Sequence, residues 1–129
     1  MGTYFNPDGE AFRKMIQSEI YVDKTGLLNY TNSVLNTMQG YLCISRPRRF
    51  GKSMAANMLA AYYSRESRAE ELFSGFKITE SPDYQKYANQ YNTIFKKMQD
   101  FQNQSGNVTE MIALLQKCRM CISRRKYRM

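Results

Sequence analysis

The sequence predicts an α/β protein in which N-terminal helices are followed by a strand, a loop, a helix and a second strand. Residues 41–45 form a short apolar run, and a basic turn ending in Gly-Lys-Ser at positions 51–53 comes directly after it. Residues 54–63 are good helix formers with apolar positions at helical spacing. Residues 93–98 are the second strand candidate, parallel to the first if the chain between them forms a right-handed crossover.

Two helices are predicted before the first strand. Asp8 is a suitable N-cap for a helix through about Ser18, because the apolar residues that follow recur at helical spacing. Asp23 can cap a second helix that reaches roughly Met38. Gly40 then ends that helix and begins the strand.

Shorter elements are predicted after residue 63. The charged residues 64–71 should become helical at their end, and the apolar residues after them should fold back onto the core. Ser81-Pro82-Asp83 marks a turn before a short helix to about Gln90. Asn107 and Glu110 fit a capping box for a helix through Leu115.

The triplet Gly51-Lys52-Ser53 lies where a phosphate-binding loop would open into a helix. The first N–H groups of a helix lack intrahelical partners and the helix dipole adds positive charge there, so such a place binds anions. Gly51 would let the main chain approach the phosphates, Lys52 would reach the β- and γ-phosphates, and the Ser53 hydroxyl would bind Mg²⁺. The general pattern has glycine where this chain has Arg46. The alternative interpretation is a basic surface turn whose cations are only solvated.

The stretch Ser45-Arg46-Pro47-Arg48-Arg49-Phe50-Gly51-Lys52-Ser53, with Tyr21-Val22-Asp23-Lys24-Thr25 upstream, resembles the bacterial AAA-ATPase-like family. In that family an Arg-Pro-Arg-Arg-Phe-Gly-Lys-Ser loop replaces the glycine-first version. The resemblance covers residues from about 9 to 116 and implies an incomplete P-loop NTPase-like fold that binds ATP with Mg²⁺. The nucleotide-binding residues that it implies are Arg46, Pro47, Arg48, Arg49, Phe50, Gly51, Lys52 and Ser53, with Ser53 holding Mg²⁺ through the bound nucleotide.

The upstream part of the resemblance implies that Asp23 or Lys24 lies near the nucleotide. A helix cap and a surface lysine explain the same two residues equally well. Both interpretations remain open from the sequence.

Hydrolysis of a bound nucleotide would need an acid that positions Mg²⁺ and a residue that orients water. Asp100 follows the second strand candidate, but Lys96, Lys97 and Gln99 interrupt the apolar run that a strand buried on both faces requires. Asp100 therefore fits better at the end of a strand that precedes the acidic one. No catalytic residue is assigned, and the sequence predicts NTP binding by the N-terminal part of an AAA-ATPase-like protein with hydrolysis left open.

The formal net charge of +8 is concentrated at the end of the chain. We predict that residues 1–116 are the N-terminal portion of the ATPase-like domain and that residues 117–129 are a basic, disordered tail. The tail has neither helical nor strand period, and we interpret it as a truncation or a shifted reading frame. The basic residues of the tail are Lys117, Arg119, Arg124, Arg125, Lys126 and Arg128.

Two alternatives to nucleotide binding follow from these features. One is a basic module that binds nucleic acid through phosphate contacts, using the arginines of the loop and the tail with Tyr127. The other is an inert fragment of a longer ATPase, whose missing strands leave pairing groups open. The sequence does not determine an oligomeric state under any of these interpretations.

The remaining composition narrows the setting. No run approaches 18 apolar residues, and residues 1–8 lack the apolar region of a signal peptide, so we expect a cytoplasmic protein without a membrane span. Cys43 is expected to be a small buried hydrophobe within the strand. Cys118 and Cys121 form a single C-x-x-C in a chain with no histidine, so no tetrahedral zinc site is predicted.

Overall fold

The computed structural model describes the backbone of residues 5–126 and the side chains as far as residue 117. The chain divides into two compact units, Met1–Ile94 and Phe95–Met129. The first unit contains α1 to α5 with a 3₁₀ helix at Lys77–Glu80, and the second contains α6 and α7. The α-helices are α1 (Glu10–Ile16), α2 (Gly26–Val34), α3 (Lys52–Tyr63), α4 (Ala69–Leu72), α5 (Tyr84–Tyr87), α6 (Met98–Gln104) and α7 (Val108–Lys126).

The predicted α/β fold with two parallel strands is wrong, because the described residues are helical and form no sheet. Residues 41–45 have no regular secondary structure. In residues 93–98, Ile94 makes one isolated antiparallel bridge with Phe5, and Met98 already begins α6. A strand needs a neighbour for its N–H and C=O groups. Residues 41–45 have no such neighbour in the described chain, and Tyr41 remains 96% exposed.

Aromatic side chains from α1, α3 and the segment after α4 form the core of the first unit. The rings of Phe12 and Phe73 stack with their centroids 4.8 Å apart, and Tyr62 meets Phe73 edge-on at 5.6 Å. Met58 and Tyr62 are fully buried on one face of α3, which confirms the helical face predicted for residues 54–63. Leu72, Phe73 and Ile78 also fold back onto the core as predicted.

A hydrogen-bonded network ties α2 to α3 and α5. The Tyr63 hydroxyl donates to the Asn32 side-chain oxygen at 2.6 Å, and the Asn32 amide donates to the Tyr62 hydroxyl at 3.1 Å. The Tyr62 hydroxyl in turn donates to the backbone carbonyl of Tyr84 at 2.9 Å. Because buried polar groups are costly when unpaired, this network stabilises the packing of the C-terminal end of α3 against α2 and α5.

The first two helices are shorter than predicted. α1 begins at Glu10 after Gly9, yet the Asp8 carboxylate still accepts a hydrogen bond from the Glu10 N–H at 3.0 Å. α2 spans Gly26–Val34 rather than residues 23–38. Asp23 lies before α2, where its carboxylate accepts from the Thr25 N–H at 2.8 Å.

In the second unit, α6 and α7 form a helical pair, and Phe101 of α6 is buried. The predicted capping interaction is present: Asn107 accepts from the Glu110 N–H at 2.9 Å, while the Glu110 carboxylate accepts from the Gly106 N–H at 2.7 Å. α7 runs to Lys126, past Leu115, where the pattern predicts its end. The division into residues 1–116 and a tail stays a prediction, and Tyr127 and Arg128 lie outside the described residues.

Candidate functional site

The loop before α3 ends in a backbone conformation that suits glycine. Gly51 is the N-cap of α3 with φ of 79°, and Arg49 also has a positive φ of 67°. A Cβ at position 51 would lie 2.9 Å from the Lys24 amino nitrogen. Gly51 therefore permits both the left-handed backbone and the close approach of Lys24.

Backbone donors are free along this loop. Residues 48 and 49 form a hydrogen-bonded turn, whereas the N–H groups of residues 51–53 donate no hydrogen bond to any described residue of the chain. Residues 52 and 53 form the first turn of α3, where N–H groups lack intrahelical partners and the helix dipole is positive. The loop therefore offers several donors to an anion.

Two lysines bind the loop through its backbone carbonyls. The Lys52 ammonium donates to the Arg46 carbonyl at 2.6 Å, and the Lys24 ammonium makes a longer contact of 3.5 Å with the Phe50 carbonyl. Lys24 comes from the segment before α2, 26 positions away from Phe50. Both ammonium groups are exposed at the loop, so they can exchange a carbonyl for a charged ligand.

These residues surround a cleft of about 610 Å³, which we call the loop cleft. Lys24, Arg46 and Lys52 line the loop cleft, and no acidic residue is among the described residues that do so. Cations without a compensating carboxylate make a positive local field that attracts anions. The loop cleft is therefore suited to a polyanionic group.

The structure brings some of the sequence-predicted site residues to the loop cleft and leaves others outside it. Pro47, Arg48 and Arg49 are exposed and do not line the loop cleft, and Ser53 is exposed on the first turn of α3. The sequence-predicted residues that line the loop cleft are Arg46, Phe50, Gly51 and Lys52.

Of the two upstream candidates, Lys24 reaches the loop and Asp23 serves the fold. The Asp23 carboxylate accepts hydrogen bonds from the Thr25 hydroxyl at 2.6 Å and from the Lys77 N–H at 3.0 Å. Partial burial alone would raise the pKa of Asp23, but these hydrogen bonds outweigh it and hold that pKa below its ordinary value. Asp100 lies in α6, in the second unit, whereas the loop belongs to the first.

Other residues of the loop cleft were not predicted from the sequence. Cys43 was expected to be buried in a strand, but its side chain is exposed and lines the loop cleft together with Ile44. Leu27 of α2 also lines the loop cleft. Their apolar character is typical of core residues, so the sequence carried no signal for this position.

Residues 9–127 match the model of a family described as predicted AAA-ATPase. The chain belongs to this family. The match includes the whole loop and continues past residue 116, the predicted end of the resemblance. No curated protein and no solved structure matches the chain. Among the helices of residues 5–126, none combines the length and apolar composition needed to cross a bilayer.

Proposed function

We propose that this member of the predicted AAA-ATPase family binds ATP with Mg²⁺ at the loop formed by residues 46–53. The observation that carries the proposal is the convergence of Lys24, Arg46 and Lys52 on one cleft at the N-terminus of α3. Free backbone donors, a helix N-terminus and uncompensated lysines together provide what a triphosphate requires.

Each residue has a role in the proposal that follows from its position. Lys52 exchanges the Arg46 carbonyl for phosphate oxygens, while the free N–H groups of the loop bind the bridging and terminal oxygens. The exposed hydroxyl of Ser53, on the first turn of α3, would hold Mg²⁺, and the ion would neutralise phosphate charge. Because no acidic residue lines the loop cleft in the described chain, the proposal is nucleotide binding and not turnover.

Equilibrium binding of a fluorescent ATP analogue tests the proposal, with calorimetry using ATP as a check. Replacing Lys52 by alanine should weaken binding by about 10- to 100-fold, since a charged hydrogen bond contributes roughly 1.5–3 kcal/mol. Lys14→Ala is the matched control, because Lys14 is an exposed lysine of α1 that does not line the loop cleft. Equal affinities for the Lys52→Ala and Lys14→Ala variants would contradict the proposal.

The role of Ser53 is tested separately with Ser53→Ala. In EDTA, this variant should bind ATP with the same affinity as the unmodified protein. With Mg²⁺ present, it should lose most of the increase in ATP affinity that the ion provides. A full Mg²⁺ gain in Ser53→Ala would exclude this hydroxyl as the metal ligand. That result would not contradict the proposed phosphate contacts of Lys52.

A second candidate function is nucleic-acid binding by the loop arginines. The side chains of Arg48 and Arg49 are exposed outside the loop cleft, without an acidic partner among the described residues. Phosphate-driven binding to an oligonucleotide should fall steeply with salt, and the salt slope should decrease in an Arg48→Ala, Arg49→Ala double variant. A slope that the double variant leaves unchanged would remove these arginines from such an interface.

A further inference from the structure

A second cavity, of about 170 Å³, adjoins the loop cleft in the first unit. We call it the side pocket. Lys24 and Ala55 line both cavities, so the side pocket and the loop cleft share a wall. The other residues that line the side pocket are Ile20, Tyr21, Val22 and Met54.

Three of the side chains around the side pocket are apolar and yet exposed. The exposed fractions are 84% for Ile20, 62% for Val22 and 37% for Met54. None of the three belongs to the core cluster, so packing of the fold does not account for their position. A concave surface with apolar walls is typical of small-molecule sites, because covering it removes apolar area from water.

The aromatic residue of the side pocket is held by the core. The Tyr21 ring meets Phe12 edge-on with centroids 6.0 Å apart and lies 5.4 Å from the Phe76 ring. Phe12 is fully buried. Since the contacts of Tyr21 are set by the fold, this wall of the side pocket exists before any ligand arrives.

We infer that the side pocket takes the base of the nucleotide whose phosphates bind in the loop cleft. This inference rests on the proposed function and adds to it the place where the base of the nucleoside triphosphate binds. Such a ligand has a charged chain at one end and a planar base with apolar faces at the other. The adjoining cavities are divided in the same way, with cations around the loop cleft, apolar groups around the side pocket and Lys24 between them.

The lining of the side pocket also specifies how selective the site is. No carboxylate or amide side chain is among the described residues around it, and its polar side-chain groups are the Tyr21 hydroxyl and the Lys24 ammonium, which also lines the loop cleft. Discrimination between bases depends on hydrogen bonds to their edges, whereas contact with aromatic and apolar groups tolerates any base. ATP and GTP should therefore bind with affinities within about threefold of each other, since less than 1 kcal/mol separates them.

Calorimetric titration of the full chain with Mg-ATP, Mg-GTP and inorganic tripolyphosphate with Mg²⁺ tests the inference. ATP and GTP should both bind about tenfold or more tightly than tripolyphosphate, given the strength of base contacts. Met54→Ala and Val22→Ser should each weaken ATP several-fold and leave tripolyphosphate unchanged. Met38→Ala is the control, since Met38 is 97% exposed and lines neither cavity. Thermal melts verify that each variant is folded.

The outcomes separate this inference from the proposal beneath it. If tripolyphosphate binds as tightly as ATP and Met54→Ala and Val22→Ser change nothing, the side pocket holds no base, while binding at the loop stands. An affinity for ATP far above that for GTP would overturn the low selectivity. If Lys52→Ala weakens neither ATP nor tripolyphosphate, the proposed phosphate site itself fails and the inference fails with it.

Discussion

The carboxylate of Asp23 accepts a hydrogen bond from the backbone N–H of Lys77 at 3.0 Å, across 54 positions of the chain. The same carboxylate binds the Thr25 hydroxyl, which itself accepts from the Ile78 N–H at 3.2 Å. Through these contacts, the segment that carries Lys24 to the loop is anchored on the 3₁₀ helix at Lys77–Glu80. Asp23 thus affects the candidate site by holding Lys24 in place.

Replacing Asp23 by asparagine should lower the free energy of unfolding at pH 7 by about 1–2 kcal/mol, because charge-assisted hydrogen bonds are lost. The pKa of Asp23 is depressed in the folded state, so its stabilising contribution is present above the ordinary value of 3.8 and is lost as the pH falls through the lower folded value. Urea unfolding at a series of pH values measures this. The variant should lose less stability than the unmodified protein on acidification, and parallel curves would contradict the assignment.

The contribution of Tyr63 to the free energy of unfolding has the opposite pH dependence, because it is lost at alkaline pH. Burial raises the pKa of Tyr63 to about 12, although its hydrogen bond with Thr31 acts to lower it. A raised pKa means that the stabilising contribution is complete below the ordinary value of 10.0 and is lost as the pH rises toward 12. Tyr63→Phe should therefore weaken the alkaline decline in unfolding free energy, while the loss of its hydrogen bonds costs about 1–2 kcal/mol at neutral pH. An unaltered alkaline decline would contradict the prediction.

Gly51→Ala should impair the loop while leaving the fold intact. The substitution places a Cβ on a residue with φ of 79° and brings it within 2.9 Å of the Lys24 amino nitrogen. Left-handed backbone costs a residue with a side chain roughly 1–2 kcal/mol, so we expect slightly lower stability and weaker binding of Mg-ATP. Gly26→Ala is the matched control, because nothing lies within 4 Å of a Cβ at that position. Equal ATP affinities in the two variants would show that the loop tolerates the change.

Cys43 offers a chemical probe of the loop cleft, since its exposed side chain is part of the lining. In a Cys118→Ser, Cys121→Ser background, saturating Mg-ATP should slow alkylation of Cys43 several-fold by covering it. The protection should disappear in Lys52→Ala at the same ATP concentration. Alkylation at an unchanged rate, under conditions where ATP binding is measured independently, would place the nucleotide elsewhere.

The local features of this protein could be predicted because each depends on residues close together in the chain. The helical spacing of residues 54–63 predicts the buried face with Met58 and Tyr62. The interaction of Asn107 with Glu110 could be predicted because the two residues are three positions apart, as in a capping box. The two strand predictions were wrong because strand formation depends on residues that are distant in the chain. An apolar run such as residues 41–45 becomes a strand only when another segment pairs with it, and the described chain provides none.

The sequence by itself determined that a Gly-Lys-Ser triplet opens a helix and that basic residues precede it, because both follow from neighbouring residues. Only the tertiary structure decided that Lys24 contacts the loop, whereas Asp23 is hydrogen-bonded to the 3₁₀ helix. It also decided that the Cys43 side chain is exposed. Those outcomes depend on contacts between residues 26 to 54 positions apart and on the absence of a pairing partner in the described chain. Neither can be predicted from the pattern of neighbouring residues.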